Sequence, residues 1–200
     1  MRTEHIELFV EEASMATALR TLVPKIRADL TFNVYEFQGC QDLLGKLPDR
    51  FKGYRSWVPA NWRIIVLIDR DRKNCLALKR QILDMAKQAG LRSQALRNAT
   101  PQVLVRLAVE ELESWFFGDI PALCAAFPGV SPDLAKRAGF RDPDAIKDPW
   151  EQLERVLQRA GYFRGGLQKI RCAREVTQHM DPASNLSHSF RVFRDGLRAL

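Results

Sequence analysis

Two aspartates, one residue apart, end the most apolar segment of the chain. Ile64 to Ile68 are branched aliphatic residues in a row, and Asp69, Arg70 and Asp71 follow directly. An uninterrupted apolar run of this kind predicts a strand buried on both faces, as in parallel sheets. Ligands and catalytic groups of open α/β sheets collect at the carboxyl ends of the strands. The aspartate pair therefore predicts a seat for a hard divalent cation, Mg²⁺ or Mn²⁺.

Other carboxylates also follow segments that resemble strands. Glu11 and Glu12 come after the first such segment, and Glu113 and Asp119 lie beyond the last one. The carboxyl ends of parallel strands face the same way, so these groups can converge. Converging like charges raise each other's cost of ionising unless a cation joins them. The predicted metal ligands are Glu11, Asp69, Asp71 and Glu113, with Glu12 and Asp119 as further candidates.

Each of these carboxylates also has a structural explanation. Glu11 and Glu12 suit the first turn of a helix, where the helix dipole favours negative charge. The aspartate pair could cap a turn into the next helix. Glu113 could belong to a solvated helix face, and Asp119 could be a helix N-cap. Both explanations stay open at the level of sequence.

The segments that would position these groups alternate between strand and helix patterns. Strands are predicted at 5–10, 31–37, 63–68 and 103–108, with a shorter one at 91–96. Helices are predicted at 14–28 with Ser14 as N-cap, at 41–51, at 73–89 with Gly90 closing it, and at 109–119. A loop is predicted over 53–60. Strand, helix and strand in repetition indicate a parallel sheet with helices on both faces.

The C-terminal part of the chain has a different pattern from the sheet region. From Ile120 onward only helices broken by prolines are predicted, one of them starting with Asp148 as N-cap and Pro149 at the first position. The predicted fold is therefore α/β, with a mostly parallel, Rossmann-like sheet domain over 1–119. Residues 120–200 would form a helical extension packed on that domain as one compact unit.

Charge indicates a polyanionic partner, without establishing one. The 200 residues carry a net charge of +7 and a pI near 9.5, with much of the excess after residue 150. Such a balance permits nucleic-acid binding, although a solvated basic face explains the same residues equally well. The candidate phosphate contacts are Arg70, Arg72, Lys169, Arg171 and Arg174.

Cysteine spacing and hydropathy indicate the compartment. The four cysteines are far apart and form no C-x-x-C pair, which disfavours a zinc site or disulfide framework and predicts a reducing cytoplasm. The chain starts without a signal-peptide pattern. No apolar stretch approaches the ~20 residues of a membrane helix, so we expect no membrane contact.

The order of the acidic motifs resembles a known family. A glutamate after the first strand and a D-x-D after a later strand resemble the Toprim domain of topoisomerases, primases and OLD-type nucleases. The resemblance implies a Toprim-like fold in which Glu11 is a metal ligand or general acid/base. It implies that Asp69 and Asp71 bind Mg²⁺. This chain departs from the family by having Glu12 where glycine is usual, and Met15 where an acidic residue often stands.

Two further motifs are similar to those of a bacterial Toprim-like family described largely as a domain of unknown function. Residues 111–119 fit E-x-E-x-W-x-x-x-D, and residues 189–193 fit S-F-x-x-F. Together with the acidic motifs, this resemblance spans nearly the whole chain.

The predicted function follows from the carboxylates and the resemblance together. We expect a Mg²⁺-dependent Toprim-like nuclease or phosphotransfer enzyme that acts on nucleic acid, with DNA favoured over RNA. OLD-type nucleases work with an ATPase module, and the sequence has no G-x-x-x-x-G-K-S/T motif. The resemblance therefore implies a separately encoded ATPase partner in a phage-defence-type system. The alternatives are a non-catalytic regulatory or interaction subunit with a degenerate Toprim site, and a small-molecule phosphohydrolase.

Overall fold

A computed structural model describes residues 2–70, 74–93 and 101–200. The strands in this part of the chain are β1 (His5–Val10), β2 (Thr31–Glu36), β3 (Trp62–Asp69) and β4 (Val103–Ala108). The helices are α1 (Ala13–Ile26), α2 (Cys40–Trp57), α3 (Cys75–Gln88), α4 (Glu113–Phe117), α5 (Ile120–Ala126), α6 (Pro149–Arg159), α7 (Lys169–His179) and α8 (His188–Arg198). Short 3-10 turns occur at Pro132–Lys136, Ala138–Phe140 and Pro143–Ala145.

The four strands form one parallel sheet in the order β2-β1-β3-β4. The chain leaves β1 towards β2 and then returns to β3 on the other side of β1, so β1 and β3 are neighbours at a change of direction. Crevices at the carboxyl ends of such strands are where open α/β sheets bind ligands. The predicted α/β fold with a parallel sheet and flanking helices is confirmed.

Two apolar clusters cover the two faces of the sheet. One contains α1 and the C-terminal helices, including the fully buried Leu19, Trp115 and Phe193. The other contains α2 and α3, which bury Phe51 and Ile82 against the sheet. Burying side chains of this size stabilises the fold by about 1.5–3 kcal/mol each. Helices after residue 120 therefore share a core with the sheet and can present side chains at its edge.

Two predicted boundaries near the site are wrong. Helix α1 begins at Ala13 with Glu12, rather than Ser14, at the N-cap. The Ser14 hydroxyl instead donates a hydrogen bond to the Glu12 carboxylate. The segment 109–119, predicted as one helix, contains only the short α4. Acidic side chains of both segments also contact groups distant in sequence, Glu12 with Lys169, Glu110 with Arg70 and Glu111 with the Trp150 amide, which a local helix pattern does not predict.

Two other predicted segments differ from the structure. Helix α2 continues to Trp57 through most of the predicted loop at 53–60. It continues because Tyr54 is buried and its hydroxyl donates to the buried Glu7 carboxylate on β1. Residues 91–93 form no strand, and the rest of the predicted strand at 91–96 lies outside the described residues.

Other helix ends agree with the sequence. Gly90 follows α3 with a φ of +79°, a conformation that a residue with a Cβ rarely adopts. Pro149 is the first residue of α6, with Asp148 at the N-cap position. The longest described helix, α2, has 18 residues. Within the described ranges, no helix is both long and apolar enough to cross a membrane.

Candidate metal centre

The carboxyl ends of β1 and β3 bring the first acidic residues to one edge of the sheet. Val10, the last residue of β1, is in register with Leu67 of β3. Asp69 ends β3 and is buried, in register with Ala108 of β4. Glu11 and Glu12 follow Val10 directly. The sheet therefore juxtaposes the two segments that the sequence singled out.

Glu12 and Glu11 have different surroundings, although both are half-buried. Glu12 Oε1 lies 3.7 Å from Lys169 Nζ on α7. The same carboxylate accepts the Ser14 hydroxyl. The backbone carbonyl of Glu11 accepts the Gly39 amide at 2.9 Å. Among the described contacts, those of Glu12 place its carboxylate next to the other acidic groups.

Three glutamates follow β4 and take separate roles. Glu110 forms an ion pair with Arg70, the residue between the two predicted aspartate ligands. Glu111 Oε2 accepts the Trp150 amide at 3.0 Å, which fixes the start of α6. Glu113 is only 1% exposed. The E-x-E pair thus anchors one helix and buries one carboxyl group.

The carboxyl group of Glu113 has a pKa well above its ordinary value. Burial raises its pKa to about 7, and the nearby carboxylates of Glu12 and Glu111 raise it as well. The ammonium group of Lys169 opposes this rise. Glu113 Oε2 is buried and has no hydrogen-bond partner in the part of the chain that the structure describes. A buried carboxylate of this kind needs a cation to ionise at low cost.

Lys169 provides one such cation. It is the first residue of α7, which packs against α1, and its side chain is one-third exposed. Burial alone would lower its pKa, but four carboxylates raise it above the ordinary value. These are Glu113, Glu12, Asp69 and Glu111. The sequence predicted Lys169 only as a phosphate contact, whereas the fold brings it among the acidic side chains.

The ring of Trp150 supports the Lys169 ammonium group from the side. Lys169 Nζ lies 5.7 Å from the centre of this ring, a distance suited to cation–π attraction. Sequence reasoning missed Trp150 and gave Glu111 no role. Their positions in the sequence could have indicated a role. Glu111 is the first glutamate of the E-x-E motif, and Trp150 follows the helix start at Asp148 and Pro149.

The remaining predicted site residues have different surroundings. Asp119 caps α5, where its two oxygens accept the amides of Ala122 at 3.1 Å and Asp181 at 2.9 Å. Arg171 and Arg174 are exposed on α7, beyond Lys169. Asp71 and Arg72 lie outside the described residues.

The donor set of this region consists of carboxylate oxygens, which suit hard cations such as Mg²⁺. Among residues 2–70, 74–93 and 101–200, no three acidic, histidine or cysteine side chains stand in an arrangement that could hold a metal ion. Asp71 falls in one of the gaps. The observation that favours a cation is the buried Glu113 Oε2 without a hydrogen-bond partner in those ranges.

Comparisons with known proteins give a family and a distant structural likeness. Residues 10–198 match the family described as "Domain of unknown function (DUF4276)". No curated protein matches the sequence. The chain is similar to the C-terminal region of the Xanthomonas campestris pv. campestris OLD protein, with 16% identity and a TM-score of 0.47. That alignment covers 97% of this chain and 96% of the other.

Proposed function

The chain belongs to the DUF4276 family, a domain of unknown function, and we propose that it is a Mg²⁺-dependent Toprim-like phosphodiesterase that cleaves nucleic acid. The observation that supports this most is the set of carboxylates around Lys169 at the carboxyl edge of a parallel sheet. Four acidic residues from three separate segments converge there, with Glu113 fully buried. Such a concentration of negative charge is costly unless it binds cations.

A divalent cation at this edge would be held by carboxylate oxygens. The candidates are Asp69 and Asp71 after β3, Glu113 on α4, and either Glu11 or Glu12 after β1. When bound, Mg²⁺ supplies neutralisation of phosphate charge and activation of an attacking water. The negative charge of Glu113 would attract the cation, and the positive charge of Lys169 would oppose it.

Lys169 has a second role in this proposal. Its ammonium group lies 3.7 Å from Glu12 Oε1 and is partly open to solvent. It can donate a hydrogen bond to a non-bridging phosphate oxygen beside the metal. Charge stabilisation of this kind accounts for most of the catalysis of phosphoryl transfer.

The surface beside Lys169 suits a charged polymer better than a free nucleotide. A cavity of about 430 Å³, wide open to solvent, is lined by side chains at the start of α7, among them Arg171 and Arg174. Contacts from arginine to backbone phosphate position a nucleic acid without reading its sequence. We propose DNA as the substrate class, with RNA as the alternative that the assay must compare.

A non-catalytic subunit is the second candidate, favoured by the ion pair between Lys169 and Glu12. This ammonium group can neutralise the carboxylates without a metal, as in a Toprim site that keeps its fold and has lost its chemistry. A separately encoded ATPase partner is compatible with both candidates. Adding it would raise cleavage by a catalytic subunit that depends on it, and would leave cleavage absent for a non-catalytic one.

The test is a cleavage assay on single-stranded, nicked and supercoiled DNA and on RNA, with Mg²⁺, Mn²⁺ or EDTA. We expect metal-dependent cleavage that is lost in Asp69→Asn and in Glu113→Gln. Asp49→Asn is the matched control, because Asp49 is exposed on α2 and far from these carboxylates in the fold. Calorimetric titration of Mg²⁺ into the same proteins measures binding independently of cleavage.

Either result of the titration separates the two candidates. Mg²⁺ binding that is weakened in both site variants, together with cleavage, supports the phosphodiesterase. Mg²⁺ binding without cleavage of any substrate favours the non-catalytic subunit. Wild-type protein that neither binds Mg²⁺ nor cleaves would contradict the metal-dependent function.

A further inference from the structure

The outer edge of β4 carries backbone groups that the sheet does not use. The Ile64 amide bonds to the Gln102 carbonyl, and the Arg70 amide to the Ala108 carbonyl, so even-numbered residues of β4 face β3. In a parallel ladder the alternate residues then face outward. Leu107 is one of these, and no group among the described residues bonds to its amide or carbonyl.

The outward groups of β4 open into a groove between two helices. A cavity of about 250 Å³ lies along this edge, with α3 forming one wall and α8 the other. We define this β4 groove by the described residues that line it: Cys75, Leu76, Lys79, Val105, Arg106, Leu107, Val109, His188, Ser189 and Val192.

The walls of the β4 groove expose apolar side chains to solvent. Leu76 on α3 is 78% exposed and Val192 on α8 is 43% exposed. Exposed aliphatic side chains facing one groove mark a surface that is covered when a partner binds. The outward amide and carbonyl of Leu107 lie between these walls and suit an extended chain as the occupant, because a strand laid along the edge can bond to both groups.

The described side chains of the β4 groove that can carry a charge at neutral pH are basic. Lys79, Arg106 and His188 line it, and no acidic residue is among its described lining residues. Arg106 packs so closely against Gly196 of α8 that a methyl group on Gly196 would collide with the guanidinium. The Arg106 Nη1 donates to the Val105 carbonyl at 3.0 Å, and its Nε finds no hydrogen-bond partner within the described ranges.

The nearest acidic side chains along the same elements are engaged elsewhere. Glu110, which follows Val109, pairs with Arg70. Asp195, one turn beyond Val192 on α8, pairs with Arg194 at 2.7 Å. Among the residues that the structure describes, none that lines the groove offsets the positive charge of Lys79 and Arg106.

We propose that the β4 groove binds an extended, acidic segment of a partner protein, which adds to β4 as a fifth strand. Main-chain hydrogen bonds to Leu107 give the segment its register. Alternate side chains contact Leu76 on one wall and Val192 on the other. At least one carboxylate of the segment pairs with Arg106 or Lys79.

A second copy of this chain fits the groove less well. Two copies that pair through β4 in a symmetric dimer would bring Lys79 and Arg106 of both copies together, and like charges at an interface are costly. A partner strand with carboxylates removes this repulsion. The proposal is independent of whether the acidic residues at the carboxyl edge bind a metal.

The test selects partners from a displayed library of random 12-residue peptides, using the full chain as bait. We expect enriched peptides to alternate apolar residues with aspartate or glutamate and to bind by fluorescence anisotropy. Leu107→Pro should weaken that binding at least tenfold, because proline removes the outward amide and is tolerated on edge strands. Leu107→Ala keeps the amide and should retain most of the binding.

A second pair of variants keeps the test decisive if Leu107→Pro does not fold. Leu76→Glu with Val192→Glu places negative charges on two exposed walls and should also weaken binding at least tenfold. Leu186→Glu, at a position that is 61% exposed outside the groove, is the matched control and should bind normally.

Three outcomes overturn the proposal. The first is a library that yields no peptide, or only peptides that the groove variants bind as well as the wild type. The second is enrichment of basic peptides. The third is a concentration-dependent dimer, seen by analytical ultracentrifugation, that Leu107→Pro abolishes, because a second copy would then be the occupant.

Discussion

Lys169 Nζ lies 3.7 Å from Glu12 Oε1, although most of the chain separates the two residues in sequence. Glu12 starts α1 at the carboxyl end of β1, and Lys169 starts α7 in the helical extension. The packing of α7 on α1 creates this contact. Lys169 thus places a positive charge from the C-terminal helices next to the acidic edge of the sheet.

Replacing Lys169 with methionine should destabilise the protein when no divalent cation is present. The variant leaves the carboxylates of Glu12, Glu113 and Asp69 without this ammonium group. We expect the free energy of unfolding in EDTA to fall by about 1–3 kcal/mol, because a buried charge that loses its partner is costly. Urea denaturation, with and without Mg²⁺, measures this change.

The charge-preserving variant Lys169→Arg is the control for that measurement and should lose much less stability. Mg²⁺ should stabilise Lys169→Met more than the wild type, since the metal then provides the missing positive charge. Equal stability of Lys169→Met and wild type in EDTA would contradict a role for Lys169 among the carboxylates.

Glu113→Gln should separate stability from activity. Burial raises the pKa of Glu113 to about 7, so the folded protein holds this proton more tightly than the unfolded chain. The proton on Glu113 therefore stabilises the folded state at low pH. This contribution to the free energy of unfolding falls as the pH rises from about 4.5 to about 7, and at pH 8 the folded wild type contains an ionised, buried Glu113. Glutamine avoids the cost of burying that charge.

We expect Glu113→Gln to be more stable than the wild type by about 1–3 kcal/mol at pH 8 in EDTA. Its stability should respond less to Mg²⁺, and cleavage should be lost. Urea denaturation at pH 5 and pH 8 gives the comparison, since the difference should shrink at the lower pH. A variant that is less stable than the wild type at both pH values would argue for a purely structural role.

We expect acid to destabilise the protein through Glu7, a buried residue in the middle of β1. Burial alone would raise its pKa, but hydrogen bonds from Tyr54, Asn33 and His5 hold the pKa below its ordinary value. A lowered pKa stabilises the folded state above the unfolded pKa near 4.5, and this contribution disappears as the pH falls through the folded pKa.

Tyr54→Phe removes the hydroxyl that donates to Glu7. We expect a loss of about 1–3 kcal/mol at pH 7, because the buried carboxylate loses a donor. The difference between the variant and the wild type should become smaller below pH 4. A difference that is constant from pH 7 to pH 3 would show that lost packing, rather than the hydrogen bond, explains the change. The measurement is urea denaturation across this pH range.

Ser189 explains why the S-F-x-x-F segment matters for the fold. Its hydroxyl accepts the Trp115 indole N–H at 3.0 Å and the Val109 amide at 3.3 Å. Ser189→Ala should cost about 1–3 kcal/mol, since it leaves these donors without an acceptor. Ser184→Ala, at an exposed position, is the control and should stay within about 0.5 kcal/mol of the wild type. The midpoints of urea unfolding compare the two.

Arg171 and Arg174 should contribute to DNA affinity without affecting folding. The double variant Arg171→Gln with Arg174→Gln should reduce the salt dependence of binding by about 0.9 for each phosphate that the protein no longer neutralises. Fluorescence anisotropy on a labelled oligonucleotide at several salt concentrations measures this slope. Lys52→Gln with Lys136→Gln removes the same charge from exposed positions elsewhere. An equal effect of both double variants would indicate attraction by net charge alone.

Local patterns in the sequence were sufficient to predict the sheet. The apolar run that ends at Asp69, the strand patterns before Glu11 and at 103–108, and the helices between them are local signals of period and composition. The parallel arrangement followed from their alternation. Because the carboxyl ends of the strands in such a sheet face one way, the sequence also predicted the edge of the sheet at which the candidate site lies. Asp148 and Pro149 likewise marked a helix start through the local chemistry of the first turn.

The side chains that meet at that edge could not be predicted from local patterns, because the packing of distant helices brings them together. Lys169 reads in sequence as one basic residue among many, and its place beside Glu12 depends on the packing of α7 against α1. The burial of Glu113, and with it the raised pKa, depends on the apolar core that Trp115 shares with α8. Contacts between distant segments arise from the joint burial of several helix faces, whereas sequence periodicity specifies only the face that each helix buries.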